Sequence, residues 1–263
     1  MRNYSNPWAE KEKRKAMAKE HHEKMLLDHR HAIVNSVATV SIYEPFGLSS
    51  AAKPYPADHM PEIAVVQSDS VSAAFEQDCV KVAILNFASY KNPGGMFMEG
   101  SIAQEEALCH ESTLYEILSH PRIVSEFYEK NRKYLVKGLY MDRVLYVPNV
   151  FFEHNGIQRY FDVITCAAPN KGTAQKYQNV PDDVCDKAMR DRIRAVLNVA
   201  ELERVDVLIL GAFGCGVFKN DPETVAKMFK EELGGHRFKA VFAVPGDKYH
   251  VFANVFGEEG EGL

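Results

Sequence analysis

No apolar run in this sequence is long and uncharged enough to cross a bilayer, and the opening residues, Met1 to Pro7, lack the apolar stretch of a signal peptide. Both absences lead to the expectation of a soluble, cytoplasmic protein. Cysteine is sparse: Cys79, Cys109, Cys166, Cys185 and Cys215 are odd in number, scattered, and form no Cys-x-x-Cys pair. That spacing argues against a disulfide framework, a zinc site or dithiol chemistry, and reduced thiols are expected. A dominant charge is missing too. Lys and Arg total 31 against 36 Asp and Glu, a net charge of -5, so the overall field does not draw the chain to nucleic acid or to an anionic membrane. Any phosphate must be held by a local site. Internal repeats are absent, and the one biased tract is a Gly- and Glu-rich tail at 257–262, expected to fray. His21, His22, His29 and His31 lie among Lys and Glu without the spacing of a closed metal site and read as a solvated polar face.

What is present is apolar sequence in short, spaced runs. Hydrophobic residues are 46% of 263, enough for one large core. Residues 7 to about 31 are charged, glycine-free and rich in helix formers, with Asn6 and Pro7 as cap and first-turn proline, so a surface helix is predicted. Residues 37–43 alternate like a strand, and 47–61 read as a connecting loop. The boundary falls there: a helical extension over 1–60, packed on a core over 61–263. In the core, apolar runs at 63–66, 82–88, 144–147, 163–167, 205–210 and 240–244 are interleaved with helical segments. This alternation predicts an α/β protein with a parallel or mixed sheet covered on both faces, three layers in all. Residues 182–204 illustrate the helical half, with Met189, Ile193, Val196, Leu197 and Ala200 on one face.

Ligands of open α/β sheets bind beyond the carboxyl ends of the strands, and two loops there stand out. The first begins at Asn86 and carries Gly94 and Gly95, whose backbone can approach a phosphate or ribose closely. Ser101 and Gln104 fit a capping box, which would put Glu105 and Glu106 in the second turn of a helix at most. Acidic residues there can merely answer the helix dipole, or they can be catalytic. Neighbouring glutamates point about 100° apart, so one would act on a bond while the other holds the sugar. The second loop, Gly211 to Phe218, contains Gly214, Cys215, Gly216 and Val217, and leads into a helix capped by Asn220 or Asp221. It reads as a pyrophosphate cradle or as a simple tight turn, and it matches neither the Rossmann fingerprint nor a P-loop. Cys215 lacks the arginine a thiol phosphatase would need, and Cys109 and His110, neighbours on a helix, do not face each other, so both thiols read as packing residues. Phe97 and Phe218 suit either a stacking role or the core.

Asn92, Pro93, Gly94 and Gly95, then, after seven residues following Met96, Gln104, Glu105, Glu106, Ala107, Leu108 and Cys109 resemble the signature loop of microbial-type poly(ADP-ribose) glycohydrolases. The Gly211–Phe218 loop with Asn220, Asp221 and Pro222 is similar to that family's pyrophosphate loop, and Ala167, Ala168, Pro169 and Asn170 are also characteristic. The likeness runs from about Trp8 to Val255. The resemblance implies a macrodomain core that binds ADP-ribose, or an ADP-ribosylated macromolecule, without metal or cofactor. It implies Glu106 as the catalytic acid and Glu105 as the holder of ribose hydroxyls. Substrate-binding positions would be Asn86, Gly94, Gly95 and Gln104 on the first loop, and Gly214, Cys215, Gly216, Val217 and Phe218 around the diphosphate. Met96 departs from the family's usual third glycine, and a left-handed backbone there would cost about 1 kcal/mol. Asp69 could take the adenine amine or cap a helix. The expected chemistry is hydrolysis of the ribose-ribose bond. Removal of single ADP-ribose groups from protein or nucleic acid, or binding without cleavage, is the alternative.

Overall fold

The computed structural model describes residues 7–45, 53–78 and 81–257. Asn6, Cys79 and the tail beyond Gly257 lie outside the described residues, as does part of the 47–61 loop. The chain opens with α1 (Pro7–Asp28) and α2 (Arg30–Thr39), separated at His29, where ψ is 22°. The strand expected over 37–43 is shorter than its alternation suggests. Ile33, Ser36 and Val37 form one buried helical face, so the helix runs to Thr39 and only β1 (Ser41–Tyr43) is extended.

The other strands are β2 (Ile63–Val66), β3 (Val82–Phe87), β4 (Val144–His154), β5 (Ile157–Cys166), β6 (Val207–Leu210) and β7 (Lys239–Ala243). They form one seven-stranded mixed sheet in the order β1-β4-β5-β3-β6-β7-β2. The five from β5 to β2 are parallel, and β1 and β4 run antiparallel at one edge. The runs at 144–147 and 163–167 are not joined by a helix as expected. They are the far ends of one hairpin, turned by Asn155 (φ 50°) and Gly156 (φ 78°), a pair suited to the left-handed angles of a tight two-residue loop.

Alternate strand residues feed two cores. Ala83 and Leu85 of β3 join the core under α7 (Asp182–Leu202), α8 (Pro222–Glu232) and α9 (Lys248–Phe256). Val82 and Ile84 join the opposite one, under α2, α3 (Ser70–Phe75), α4 (Gln104–His110) and α5 (Leu114–Leu118). The remaining labelled helix, α6 (Lys171–Gln178), follows β5. This is the three-layer α/β arrangement that the alternation predicts. No helix among the described residues is long and apolar enough to cross a membrane.

The histidines between 21 and 31 are not a solvated face. A ring nitrogen of His21 bonds Ser112 O (2.9 Å), one of His22 meets Glu116 Oε1 (2.9 Å), and His29 stacks on Phe151 with centroids 3.8 Å apart. Only His31 is exposed. These contacts seat α1 on α5 and on the sheet, while Arg14 Nε donates to Gly100 O (2.8 Å) and ties α1 to the first loop. On the other face Arg192, 1% exposed, bonds Asp142 (2.7 Å), Ala167 O and Leu139 O (3.2 Å), fixing the segments before β4 and after β5.

Candidate active site

β5, β3 and β6 are adjacent and parallel, so the loops that follow them emerge at one edge of the sheet. The two loops singled out in the sequence and the segment Ala167–Asn170 therefore converge. At the end of β3, Asn86 is fully buried, with Nδ2 shared between Glu105 Oε1 and Thr165 Oγ1 (3.3 Å each) and Oδ1 without a partner among the described residues. Gln104 is spent on the scaffold: its Oε1 accepts from Phe87 N (2.8 Å), and its Nε2 donates to Leu85 O (2.9 Å) and Ser70 Oγ (3.1 Å). It completes the hydrogen bonding at the carboxyl end of β3. The Ser101 capping box does not form. Ser101 N bonds Met96 O, the helix starts at Gln104 after an uncapped Ala103, and Glu105 and Glu106 stand in its first turn.

Both glutamates are buried, at 3% and 5% exposure, and their partners differ. Glu105 takes hydrogen bonds from Ser89 N (2.6 Å) and Asn86, yet burial outweighs them and carries its carboxyl up to about 8. Glu106 Oε1 accepts from Met96 N (2.8 Å), while Oε2 has no partner among the described residues. A buried carboxylate oxygen left unpaired costs free energy unless something else occupies its position. The turn over this pair depends on Gly94 and Gly95, at φ 63° and 61°. A Cβ on Gly95 would lie 2.5 Å from Glu106 Oε1 and 2.9 Å from Glu105 Oε2, and one on Gly94 would lie 2.6 Å from the Tyr115 ring. Met96, at φ -118°, is not left-handed, so the strain expected for a side chain there does not arise. A cavity of about 280 Å³ opens beside Gly95 and Met96, walled by Asn92, Glu99 and Tyr115.

In the loop after β6, Gly214 (φ 72°) packs where a Cβ would meet Ala168 at 2.6 Å, and Asn220 Nδ2 bonds Pro169 O (2.9 Å) and Gly214 O (3.0 Å). Asn220 thus joins this loop to the one after β5, and Asp221 caps α8. The N–H groups of Gly216, Val217 and Phe218 have no acceptor among the described residues, and Val217 is 81% exposed. Three free consecutive amides beside a helix start suit an anion. Cys215 is buried, its N–H bonds Ala212 O, and burial pushes its thiol up to about 12, which keeps it protonated. Phe218 is half-buried, edge-on to Tyr140 at 6.2 Å. Phe97 is a core residue, 1% exposed against His110 and Tyr115. Asp69 caps α3, with Oδ1 taking Val71 N and Ser72 N (2.9 Å each) and Oδ2 taking Ser72 Oγ (2.7 Å).

Two contributors escape sequence reasoning. Ser89 acts through its backbone N–H, which leaves no trace in residue type. Tyr140 stacks on Tyr90 (4.2 Å), and only its proximity to the loops, invisible in sequence, marks it. Among the described residues no group of three His, Cys, Asp or Glu stands close enough to hold a metal ion.

The model of one protein family, microbial-type PARG, catalytic domain, matches residues 10–154. Among solved structures, poly(ADP-ribose) glycohydrolase from Thermomonospora curvata bound to the inhibitor ADP-HPD is 29% identical, with a TM-score of 0.80 over 92% of this chain and 99% of that one. The poly(ADP-ribose) glycohydrolase from Deinococcus radiodurans in complex with ADP-ribose is 30% identical, with a TM-score of 0.78 over 87% of this chain and 98% of that one. No curated protein matches the chain.

Proposed function

This chain belongs to the microbial-type PARG catalytic-domain family, a family of glycosidases, and on that premise we propose that it hydrolyses ribose-ribose O-glycosidic bonds of poly(ADP-ribose), releasing ADP-ribose, with Glu106 as general acid. The observation that carries the assignment is Glu106 Oε2, the one carboxyl oxygen of the buried pair with no partner among the described residues, beneath the Gly94–Gly95 turn. A proton held there passes to the departing ribose oxygen as the anomeric C–O bond breaks and the centre gains oxocarbenium character. Water then adds to the anomeric carbon, and its proton returns to the same carboxylate. Met96 N fixes the sister oxygen, so the free one keeps its direction.

Glu105 stays neutral below about pH 8, so it adds no charge beside Glu106 and can meet a ribose hydroxyl. The free amides of Gly216, Val217 and Phe218 suit the diphosphate, and the Gly94–Gly95 backbone suits the distal ribose. Gln104 and Asn86 act from behind this surface, through Phe87 and Glu105. The layered sheet and the ligand edge support reading the fold as a macrodomain, and the four described cysteines, all free and buried, support a reducing, cytoplasmic setting.

The test is release of ADP-ribose from purified poly(ADP-ribose) by the wild type and by Glu106→Gln, with calorimetric ADP-ribose binding by both. Release by the wild type alone, with binding kept in both, is expected. Equal turnover by the two would remove Glu106 from this role, and binding without release by the wild type would move the assignment to single modifications.

A further inference from the structure

The segment between the helical turns ending at Lys133 and strand β4 touches all three ligand loops. Tyr90 Oη, in the loop after β3, donates to Tyr134 O (3.0 Å), and Arg132 Nε donates to Lys91 O (3.0 Å). Gly138 O accepts from Asn170 N (2.9 Å), in the loop after β5, and Tyr140 packs edge-on to Phe218, in the loop after β6. This strap holds three left-handed non-glycine residues, Val136 (φ 43°), Lys137 (φ 54°) and Tyr140 (φ 65°). Such backbone persists only where its surroundings over-determine it, and it concentrates at binding sites.

The surface around the strap is also basic in an acidic protein. Lys91, Arg132, Lys133 and Lys137 are exposed, no carboxylate pairs with them among the described residues, and no acidic residue lies between 130 and 137. Tyr134 is 57% exposed and Val136 50%, an aromatic and an apolar surface set among the cations. Lys91 lies in the same loop as Gly94 and Gly95, so the strip borders the glycine turn.

We infer that Lys91, Arg132, Lys133, Tyr134 and Lys137 form an outer subsite for the units of a poly(ADP-ribose) chain that lie beyond the one in the site. Lysine and arginine neutralise successive diphosphates, and Tyr134 offers a face on which an adenine stacks. The inference rests on the proposed substrate. It explains how a chain of net charge -5 engages a long polyanion, because attraction is confined to the edge where the bond is cut.

The test is binding of fluorescent long-chain poly(ADP-ribose) to Glu106→Gln, alone and combined with Lys133→Glu and Lys137→Glu, over a salt series. The charge reversal is expected to weaken polymer binding roughly tenfold and to lower the slope of log affinity against log salt by about 0.7 for each phosphate that is no longer neutralised. Calorimetric binding of ADP-ribose should not change, and Tyr134→Ala should weaken polymer binding without changing the slope. An unchanged polymer affinity, or an equal loss for ADP-ribose, overturns the inference. So does single-stranded RNA of matched charge competing as well as the polymer, which would reassign the strip to nucleic acid. Turnover plays no part in this readout, so failure of the strip and failure of Glu106 in the release assay are separate results.

Discussion

Replacing Gly95 by alanine should disable the site while leaving the protein folded. Two effects act together. Holding alanine at φ 61° costs about 1 kcal/mol. The new methyl must also clear Glu106 Oε1 at 2.5 Å and Glu105 Oε2 at 2.9 Å, and neither carboxyl can swing into solvent because both are buried. The turn therefore lifts, and the bond from Met96 N to Glu106 breaks, leaving a buried oxygen unpaired at a cost of about 1–3 kcal/mol. Part of that is recovered as the turn relaxes, so a net stability loss of about 2 kcal/mol is expected, lowering Tm by roughly 4–8 °C for a chain of this size. Activity should suffer more, since a displacement near 1 Å costs on the order of 100-fold in turnover.

Gly246→Ala is the control. Gly246 is also left-handed, at φ 68°, but a Cβ there meets nothing within 4 Å. It should lose about 1 kcal/mol of stability and no activity. The assay is calorimetric Tm with kcat/KM for ADP-ribose release on all three proteins. If Gly95→Ala keeps kcat/KM within about threefold of wild type, the approach of the turn to the glutamates does not govern the catalytic geometry. If Gly246→Ala loses as much activity as Gly95→Ala, backbone strain alone is at work.

Glu105 titrates near 8 when folded against 4.5 as a free side chain, so its stabilising effect is whole below about pH 4.5 and is lost as pH rises through 8. The limit is about 5 kcal/mol, and Glu105→Gln should flatten urea midpoints measured between pH 5 and 9. His236 behaves oppositely. Buried and next to Lys53, it titrates at about 4 against 6.5 when free, so its effect is whole above pH 6.5 and is lost as pH falls towards 4; His236→Phe should blunt acid unfolding followed by circular dichroism. Arg192→Met strands the Ala167 and Leu139 carbonyls and Asp142, and a loss of about 3–5 kcal/mol is expected in denaturant unfolding. Met96→Gly should leave kcat/KM within about threefold, since the φ of -118° at Met96 is open to any residue; a large gain would mean that the methionine obstructs the site.

Much of the fold is legible because burial imposes periodicity. The helix over 182–202 can be read from five apolar positions because its face meets the sheet, and the parallel strands can be read because they are buried on both sides. The departures have local causes. Val37 has the β-branched side chain of a strand, but the surrounding face repeats with helical spacing and the helix prevails. The hairpin signal is there in Asn155 and Gly156, flanked by β-branched and aromatic runs, yet a chain that otherwise alternates strands with helices masks it. The histidines of α1 look solvated because charged neighbours surround them, although a helix of 22 residues can be charged on one face and docked on another.

The site divides the same way, between what residue type encodes and what only backbone direction decides. The glycines and glutamates are visible because few other residues could do the work proposed for them. Which glutamate does which task is not visible, because two identical side chains adjacent in sequence share composition, charge and helix position. Their difference arises from partners distant in sequence: Ser89 N and Asn86 Nδ2 close both oxygens of Glu105, whereas Met96 N closes one of Glu106 and the other has no partner among the described residues. Both backbone amides are aimed by the loop after β3, and that loop is shaped by left-handed angles at Gly94 and Gly95. A substitution that keeps both carboxylates but turns either amide should therefore exchange or erase their roles. For this reason the glycine pair, which supplies no side chain to the chemistry, should tolerate substitution as poorly as Glu106 itself.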